Sequence, residues 1–304
     1  MTPKVFAVVP TCRGFKIPEQ SIPVEWIIVC DGQRHPVEGK PYLTLITPPP
    51  ALFGRRCDSI RSAGFLAAYQ FGADIILTAD DDCFLPDDWA QAHVRGLSQS
   101  HSLWADTCPD FPARGTPESA KLRPVAITHG LWSGVPDLGA LDQQRLGPSY
   151  RWYAPNVWTE IHPPFSQCAM NLGFRREVTP VMYMPFQGPD TPFDRFADIW
   201  CGLFAQRVLS LHGYSFSNGG AAVHHTRASN LEANLLKEAP GRACHEDFWT
   251  YIWAFSEKRH GLEATYVKLA ERVARYEPAL PEHKPYFETL SKNMLRWLEL
   301  LRAT

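Results

Sequence analysis

Four short apolar runs alternate with polar connections in the first 85 residues of the chain, at residues 5–9, 25–30, 43–46 and 74–78. Each run has the length of a strand rather than of a helix, and turn-forming or polar residues such as Pro10-Thr11 and Asp31-Gly32 follow it. Between the third and fourth runs, residues 56–71 carry apolar side chains at helical spacing. Continuous apolar strands joined through helices are typical of a sheet covered on both faces. The pattern predicts an α/β fold with a mostly parallel central sheet flanked by helices.

The rest of the chain adds further elements to this sheet. The spacing of apolar residues predicts helices over residues 86–97, 198–211, 245–275 and 284–302, and strands near residues 170–174 and 219–225. We therefore expect one α/β domain over residues 1–244 and a C-terminal helical extension over residues 245–304.

Composition excludes several classes of protein. The chain has 304 residues, 45% of them hydrophobic, and a formal net charge of −2, which exclude a disordered protein and a strongly basic nucleic-acid coat. No run of about 18 apolar residues is present, so no membrane span is predicted. The chain starts without a secretory signal, and its 8 cysteines include no Cys-x-x-Cys pair. We expect a cytoplasmic protein with reduced thiols.

Three adjacent carboxylates, Asp80, Asp81 and Asp82, follow the fourth apolar run. Adjacent carboxylates repel one another, and a divalent cation among them offsets that cost. If the strand continued, Asp80 and Asp82 would point one way and Asp81 the other. That arrangement suits Mg²⁺ or Mn²⁺ bridging a diphosphate, whereas the alternative is an acidic turn or helix cap. The buried strand before the acids favours the metal site.

Other candidates stand near the ends of predicted elements. His225 ends a strand-like segment and could ligate a metal, and Arg227 could bind phosphate. Asp198 stands at the start of a predicted helix, flanked by Phe196 and Trp200, where it could cap the helix or act as a partly desolvated general base. Asp194 could serve as the base instead.

No glycine-rich phosphate loop, Gly-x-Ser-x-Gly or His-Glu-x-x-His motif occurs in the chain. Their absence argues against P-loop NTPases, Rossmann dinucleotide-binding enzymes and the corresponding hydrolases.

An ordered set of motifs covers residues 4–238. It comprises Val-Val-Pro-Thr at 8–11, Ile-Ile-Val-Cys-Asp-Gly at 27–32, Asp-Asp-Asp-Cys-Phe at 80–84, Thr-His-Gly-Leu-Trp at 128–132, Cys-Ala-Met-Asn-Leu-Gly-Phe at 168–174, Asp-Ile-Trp-Cys-Gly at 198–202 and His-Thr-Arg-Ala-Ser-Asn at 225–230. In these motifs the chain resembles the plant reversibly glycosylated polypeptides, the UDP-arabinopyranose mutase family. The resemblance implies a GT-A glycosyltransferase fold, a UDP-sugar donor and a divalent cation, usually Mn²⁺ and otherwise Mg²⁺.

The resemblance also assigns roles to residues. It implies that the metal is bound by Asp82 and His225 with Asp80 beside it, and that the base is Asp198. The implied nucleotide-binding residues are Thr11, Arg13, Asp31, Asp80, Asp81 and Arg227, and the implied sugar-side residues are His129, Asn171 and Trp200. The family carries a reversibly glycosylated arginine, and Arg61 lies in the corresponding neighbourhood, although its spacing to Asp80 differs from the family pattern.

Three functions follow as expectations. The first is metal-dependent transfer of a sugar from a UDP-sugar to an external acceptor or to the protein itself. The acceptor could be a small molecule, a protein or a nucleic acid. The alternative is a UDP-arabinopyranose mutase that interconverts pyranose and furanose forms. The third is a non-catalytic nucleotide-sugar or glycan-binding module in which some of the 10 tryptophans stack on sugars. A homo-oligomer is possible for each of them.

Overall fold

A computed structural model of the chain describes residues 2–31, 33–39, 42–46, 52–53, 57–102, 122–147, 149–152, 158–159, 165–226 and 230–303. Within these ranges the strands are β1 (Val5–Thr11), β2 (Phe15–Lys16), β3 (Glu25–Cys30), β4 (Val37–Glu38), β5 (Tyr42–Ile46), β6 (Ile75–Ala79), β7 (Cys83–Phe84), β8 (Ser100–Ser102), β9 (Leu122–Gly134), β10 (Trp158–Thr159), β11 (Asn171–Arg175) and β12 (Ser215–His225). The α-helices are α1 (Arg61–Gln70), α2 (Trp89–Leu97), α3 (Ala140–Leu146), α4 (Ala197–Leu211), α5 (Leu231–Trp253), α6 (Leu262–Ala274) and α7 (Lys284–Arg302). Short 3₁₀ helices span Asp58–Ile60, Arg176–Val181 and Pro281–His283.

The central sheet has the strand order β10-β12-β9-β11-β6-β1-β3-β5. Strand β1 runs parallel to β3 and β6, β3 runs parallel to β5, and β9 runs parallel to β12. Strand β11 is antiparallel to both of its neighbours, β6 and β9. The sheet is therefore mostly parallel, and the predicted α/β class is confirmed.

Strand β1 shows why the apolar runs are continuous. Phe6 and Val8 belong to one buried cluster, whereas Val5, Ala7 and Val9 belong to a second cluster on the opposite face. Helix α1 covers the first face, and helix α2 covers the second. A strand that is buried on both faces needs apolar residues at every position.

The C-terminal helices pack on the α1 face of the sheet. One buried cluster extends from Phe6 in β1 through Trp200 in α4 to Phe287 and Trp297 in α7. The predicted boundary between residues 244 and 245 falls inside helix α5. No helix in the described part of the chain combines the length and the apolar character that a membrane crossing requires.

The sequence patterns missed the extent of β9 and merged two helices. Strand β9 is 13 residues long and pairs with both β11 and β12, but polar residues and glycines interrupt its apolar pattern. The helical pattern over residues 245–275 belongs to two helices, because α5 ends at Trp253 and α6 begins at Leu262.

Candidate active site

The carboxyl ends of β1, β3 and β6 meet at one edge of the sheet. The register pairs Thr11 of β1 with Cys30 of β3, and Val8 of β1 with Thr78 of β6. Asp31 therefore lies beside Thr11, and its N–H donates to the Thr11 carbonyl at 3.0 Å. The aspartates that follow β6 reach the same edge. Ligands of open α/β sheets bind at this edge.

Asp80, Asp81 and Asp82 stand on a turn instead of continuing the strand. The Cys83 N–H donates to the Asp80 carbonyl at 3.2 Å. The expected separation of Asp81 from its neighbours does not occur, because the turn brings both Asp81 and Asp82 to the guanidinium of Arg13. Asp80 instead pairs with Arg61.

Arg61 is a buried anchor for this turn, with 1% of its surface exposed. Its Nη1 donates to Thr78 Oγ1 at 2.7 Å and to the Ala79 carbonyl at 3.1 Å, and its Nη2 pairs with Asp80. Its Nε lies 3.6 Å from Asp58 Oδ1. The guanidinium thus fixes the end of β6 and orients the Asp80 carboxylate.

Thr11 and Arg13 hold Asp81 from the other side. Thr11 Oγ1 donates to Asp81 Oδ2 at 2.7 Å and accepts the Gly14 N–H at 2.9 Å. The hydrogen bond that Arg13 donates to Asp81 and the charges of Asp81 and Asp82 raise the pKa of Arg13 despite its partial burial. With 40% of its side chain exposed, Arg13 also presents positive charge to solvent at the sheet edge.

His225 faces Asp82 across the site. The two side chains approach to 3.7 Å between Nε2 and Oδ1. His225 Nδ1 lies 2.8 Å from the Val135 carbonyl, which can only accept, so Nδ1 carries a proton and donates it. In the neutral imidazole, the Nε2 lone pair then faces a carboxylate oxygen, and this arrangement favours a proton or a cation between the two atoms.

The pKa shifts of the two residues agree with this arrangement. Burial alone would lower the pKa of His225, but the hydrogen bond and charge of Asp82 outweigh it, and the pKa is raised. Burial alone would raise the pKa of Asp82, but His225 and Arg13 outweigh it, and the pKa is lowered.

The predicted metal triad of Asp80, Asp82 and His225 stays a prediction. Across the described ranges, no group of three or more His, Cys, Asp or Glu side chains is arranged to hold a metal ion. Asp82 and His225 face each other, while Asp80 is committed to Arg61. Arg227, the predicted phosphate ligand, lies outside the described residues.

Asp198 occupies the first turn of α4, and the N-cap position belongs to Phe196. Its carboxylate accepts the Ala169 N–H at 3.1 Å and the Ile199 N–H at 2.9 Å. Burial first, and then the charges of Asp58 and Asp137, raise the pKa of Asp198 to about 7. A carboxyl group with this pKa can take up and release protons near neutral pH. The alternative base, Asp194, pairs with Lys237 at 3.2 Å.

Two of the three predicted sugar-side residues make internal contacts near the site. His129 is 3% exposed, donates from Nδ1 to Asn218 Oδ1 at 2.8 Å and accepts the Cys168 N–H on Nε2 at 3.1 Å. Burial lowers the pKa of His129, so the ring is held neutral. Asn171 is fully buried: its Oδ1 accepts from Trp89 Nε1 and His93 Nε2, and its Nδ2 donates to two backbone carbonyls. Both side chains brace the strands that carry the site.

Trp200, the third predicted sugar-side residue, lies in the helical core. It is 0% exposed, packs against Phe193 and Phe248, and donates from Nε1 to His245 Nδ1 at 3.1 Å. Two positions along a helix correspond to a rotation of about 200°. Asp198 and Trp200 therefore point to opposite sides of α4.

Three charged residues of the site were not predicted from the sequence: Asp137, Arg195 and Glu238. Asp137 accepts from Cys168 Sγ at 3.0 Å and lies 4.0 Å from Arg195 Nη2. The sequence holds one signal for it, since Asp137 comes five residues after the motif Thr-His-Gly-Leu-Trp, in a turn-forming Gly-Val-Pro-Asp stretch. Glu238 and Arg195 come together only through tertiary packing of α5.

Comparison with known proteins places this chain in a family. The sequence profile of the reversibly glycosylated polypeptides matches residues 53–304, which include the aspartate turn, His225 and Asp198. The chain belongs to the reversibly glycosylated polypeptide family. It is 30% identical to UDP-arabinopyranose mutase 1 of Arabidopsis thaliana, over 74% of this chain and 68% of that protein.

Two further Arabidopsis relatives give similar values. The chain is 29% identical to UDP-arabinopyranose mutase 3, over 74% of this chain and 67% of that protein. It is 27% identical to UDP-arabinopyranose mutase 2, over 96% of this chain and 89% of that protein. Among solved structures, it matches 4-diphosphocytidyl-2C-methyl-D-erythritol synthase from Anaerococcus prevotii at a TM-score of 0.29 and 9% identity, over 79% of this chain and 99% of that chain.

Proposed function

We propose that this protein is a UDP-arabinopyranose mutase that interconverts the pyranose and furanose forms of UDP-arabinose. The observation that carries the proposal is the match to relatives of that name, one of which aligns with 96% of this chain. Of the two enzymatic functions expected from the sequence, the comparisons favour the mutase. Transfer to an external acceptor gains no support from them.

The reaction makes two demands on a site. The C1–O5 bond of the pyranose breaks and a C1–O4 bond forms, while the bond from C1 to the diphosphate is broken and remade. The hydroxyl on O4 loses a proton and O5 gains one, so the substrate gains and loses no atoms overall. The site must therefore retain UDP while the sugar rearranges, and it must move one proton between two sugar oxygens.

Asp198 meets the demand for proton transfer. Its pKa of about 7 lets the same carboxyl group accept a proton from O4 and return it to O5 near neutral pH. The hydrogen bonds that its carboxylate accepts from two backbone N–H groups fix its orientation. We therefore assign Asp198 as the proton carrier. We assign no direct role to Asp194, because it is already paired with Lys237.

The edge of the sheet meets the demand for UDP retention. Arg13 is partly exposed beside Asp81 and Asp82, and its guanidinium can bind phosphate oxygens in a bidentate manner. Asp31 and Thr11 at the neighbouring strand ends are the proposed nucleoside contacts. These residues hold the leaving group close to C1 until the bond is remade.

Two side chains of the site, Asp82 and His225, would supply ligand atoms to a divalent cation. His225 Nδ1 donates to the Val135 carbonyl, so the Nε2 lone pair and the Asp82 carboxylate face each other as two ligand atoms. An imidazole nitrogen and a carboxylate oxygen form a donor set that suits Mn²⁺. The residues that would hold Mn²⁺ are Asp82 and His225, and a bound cation would neutralise charge on the diphosphate. Asp80 would orient the turn through Arg61.

Arg61 fits a supporting role better than the role of sugar acceptor. Its side chain is buried, and two of its nitrogens are engaged with Asp80, Thr78 and the backbone. A nucleophilic arginine would need a free nitrogen that faces the anomeric carbon. We therefore infer that the rearrangement proceeds without glycosylation of Arg61.

The test is chromatography of UDP-arabinopyranose after incubation with the protein, with and without Mn²⁺ and with no acceptor present. A new UDP-arabinose isomer at constant total nucleotide sugar supports the mutase. A parallel reaction contains an added acceptor, and the release of free UDP with glycosylation of that acceptor would indicate the transferase instead. Binding of the nucleotide sugar without turnover would indicate a binding module.

Two variants sharpen this test. Asp82→Asn should reduce turnover at least about tenfold, because it removes a charged ligand atom from the proposed cation site. Asp142→Asn is the matched control, since Asp142 forms an exposed pair with Arg145 on α3. Equal turnover by both variants would contradict the assignment of Asp82.

A further inference from the structure

Arg195 has a backbone conformation that side chains disfavour. Its φ is +66°, and it is the one non-glycine residue with a positive φ in the described part of the chain. Such conformations persist where surrounding contacts hold them, and they concentrate at functional sites. Arg195 lies three positions before Asp198, so the contacts that hold it bear directly on the proposed proton carrier.

The guanidinium of Arg195 lies between two carboxylates. Its Nε donates to Glu238 Oε1 at 3.0 Å, and its Nη2 lies 4.0 Å from Asp137 Oδ1. The Glu238 side chain on α5 is only 6% exposed, and its second oxygen accepts the Ala140 N–H at the start of α3 at 2.8 Å. A buried glutamate is costly unless it is paired, so Glu238 and Arg195 stabilise each other.

Asp137 connects Arg195 to the backbone segment that holds Asp198. Asp137 Oδ2 accepts from Cys168 Sγ at 3.0 Å. The next residue, Ala169, donates its N–H to Asp198 Oδ2 at 3.1 Å. The contacts form a closed ring, from Glu238 through Arg195, Asp137 and the Cys168-Ala169 segment to Asp198, and back along the chain to Arg195.

The backbone around Arg195 is also packed against α5. A Cβ at Gly241 would overlap the ring of Phe196, so only glycine allows α5 to approach this segment. On the other side of Arg195, Asp194 pairs with Lys237 at 3.2 Å. Residues 194, 195 and 196 each contact α5.

We propose that Arg195 is a positioning residue for Asp198, held in a strained conformation by Glu238 and acting through Asp137. The inference rests on the proposed function only in assigning the proton transfer to Asp198. Without the Arg195 guanidinium, Asp137 loses its cationic neighbour and the contact chain to Asp198 loses one link.

The charged and titratable groups that face Asp198 are Asp58, Asp137, Arg61, Cys168 and Cys201. Asp137 already contributes to the raised pKa of Asp198. Removal of the positive charge beside Asp137 leaves that negative charge less compensated, which should raise the pKa of Asp198 further.

The first test compares Arg195→Gly with Arg195→Ala. Glycine accepts the positive φ without strain, so R195G should melt at a higher temperature than R195A. Both variants should nevertheless lose kcat at least about tenfold with little change in KM, because the proposed UDP-binding residues do not include Arg195. Arg145→Ala removes an exposed arginine that pairs with Asp142 and should keep wild-type kcat. An R195G protein that melts no higher than R195A, or that keeps wild-type kcat, overturns the proposal.

The second test needs no turnover. Carboxyl ¹³C NMR titration of aspartate-labelled protein, with the Asp198 signal assigned through Asp198→Asn, should show a higher pKa for Asp198 in R195G than in the wild type. Glu238→Gln removes a negative charge and leaves the Arg195 guanidinium beside Asp137, so it should not raise the pKa of Asp198 and serves as the control. An unchanged Asp198 titration in R195G, or an equal upward shift in both variants, overturns the proposal. If wild-type protein fails to isomerise UDP-arabinopyranose, the proposed function fails, whereas this titration still decides the role of Arg195.

Discussion

The pair formed by His225 and Asp82 gives the site a defined response to pH in the absence of a metal. Asp82 raises the pKa of His225 above its usual value in spite of burial. Protonation of His225 therefore contributes stability that is fully present below about pH 6.5, the value for the unfolded chain. This contribution is lost as the pH rises through the raised pKa of the folded protein.

We predict that His225→Gln lowers the free energy of unfolding more at pH 6 than at pH 9 in the presence of a chelator. Urea unfolding at several pH values measures the difference between wild type and variant. His224→Gln is the control, because His224 is exposed on the same strand. A difference that grows with rising pH would contradict the proposed ion pair.

The edge at which the aspartates lie could be predicted from the sequence. The buried run before Asp80 places the acids at the carboxyl end of a parallel strand, and the structure finds them there. Their individual partners could not be predicted, because the turn at Asp80 and the approach of Arg13 and Arg61 depend on tertiary packing. Asn171 illustrates the same limit, since a motif cannot tell a polar side chain facing a ligand from one that bonds inside the sheet.

At the scale of secondary structure, Asn171 joins three strands and a helix. It stands on β11, accepts hydrogen bonds from Trp89 and His93 of α2, and donates to the backbone of β9 and β12. Burial lowers the pKa of His93 to about 4, so a neutral ring completes the network. The antiparallel strand β11 is thereby fixed beside the site.

Asn171→Ala should lower the free energy of unfolding by about 3 kcal/mol, because it leaves several buried donors and acceptors without partners. Asn230→Ala is a control with a smaller expected effect. Asn230 caps α5 by accepting a hydrogen bond from the Ala233 N–H, and the loss of this cap should cost about 1 kcal/mol. Chemical unfolding of the two variants tests the prediction. Equal effects would show that the Asn171 network adds little to stability.

The sequence predicted the parallel strands better than the strands that surround them. Strands β1, β3 and β6 are buried on both faces, so their apolar runs are continuous. Strand β9 carries Thr128, His129 and Gly130 inside the sheet, where hydrogen bonds and close packing replace apolar contacts. Its pattern therefore resembles that of a loop.

At the scale of the molecule, the C-terminal helices belong to the same core as the sheet. Helix α7 places Phe287, Met294 and Trp297, all fully buried, in the cluster that also contains Phe6 and Phe65. Helix α5 in turn carries Glu238, which holds Arg195 near Asp198. The helical extension thus supports the site as well as the core.

A chain that ends at residue 277 lacks α7 and exposes this core. We predict that it fails to accumulate as soluble folded protein, because large buried aromatic side chains lose their packing. A chain that ends at Arg302 keeps α7 and should behave as wild type. Circular dichroism and the soluble yield of the two chains provide the measurement, and a folded, soluble 277-residue chain would show that the core on the α1 face does not need α7.

The contact between Gly130 and Asn171 has an evolutionary consequence. A Cβ at position 130 would overlap the Asn171 amide and the Ala221 carbonyl that this amide contacts. A lineage that acquires a larger residue at position 130 must therefore give up asparagine at 171, and it must also find new partners for Trp89 and His93. The positions corresponding to 130 and 171 should change together across the family, with intermediate sequences that carry only one of the two changes being rare.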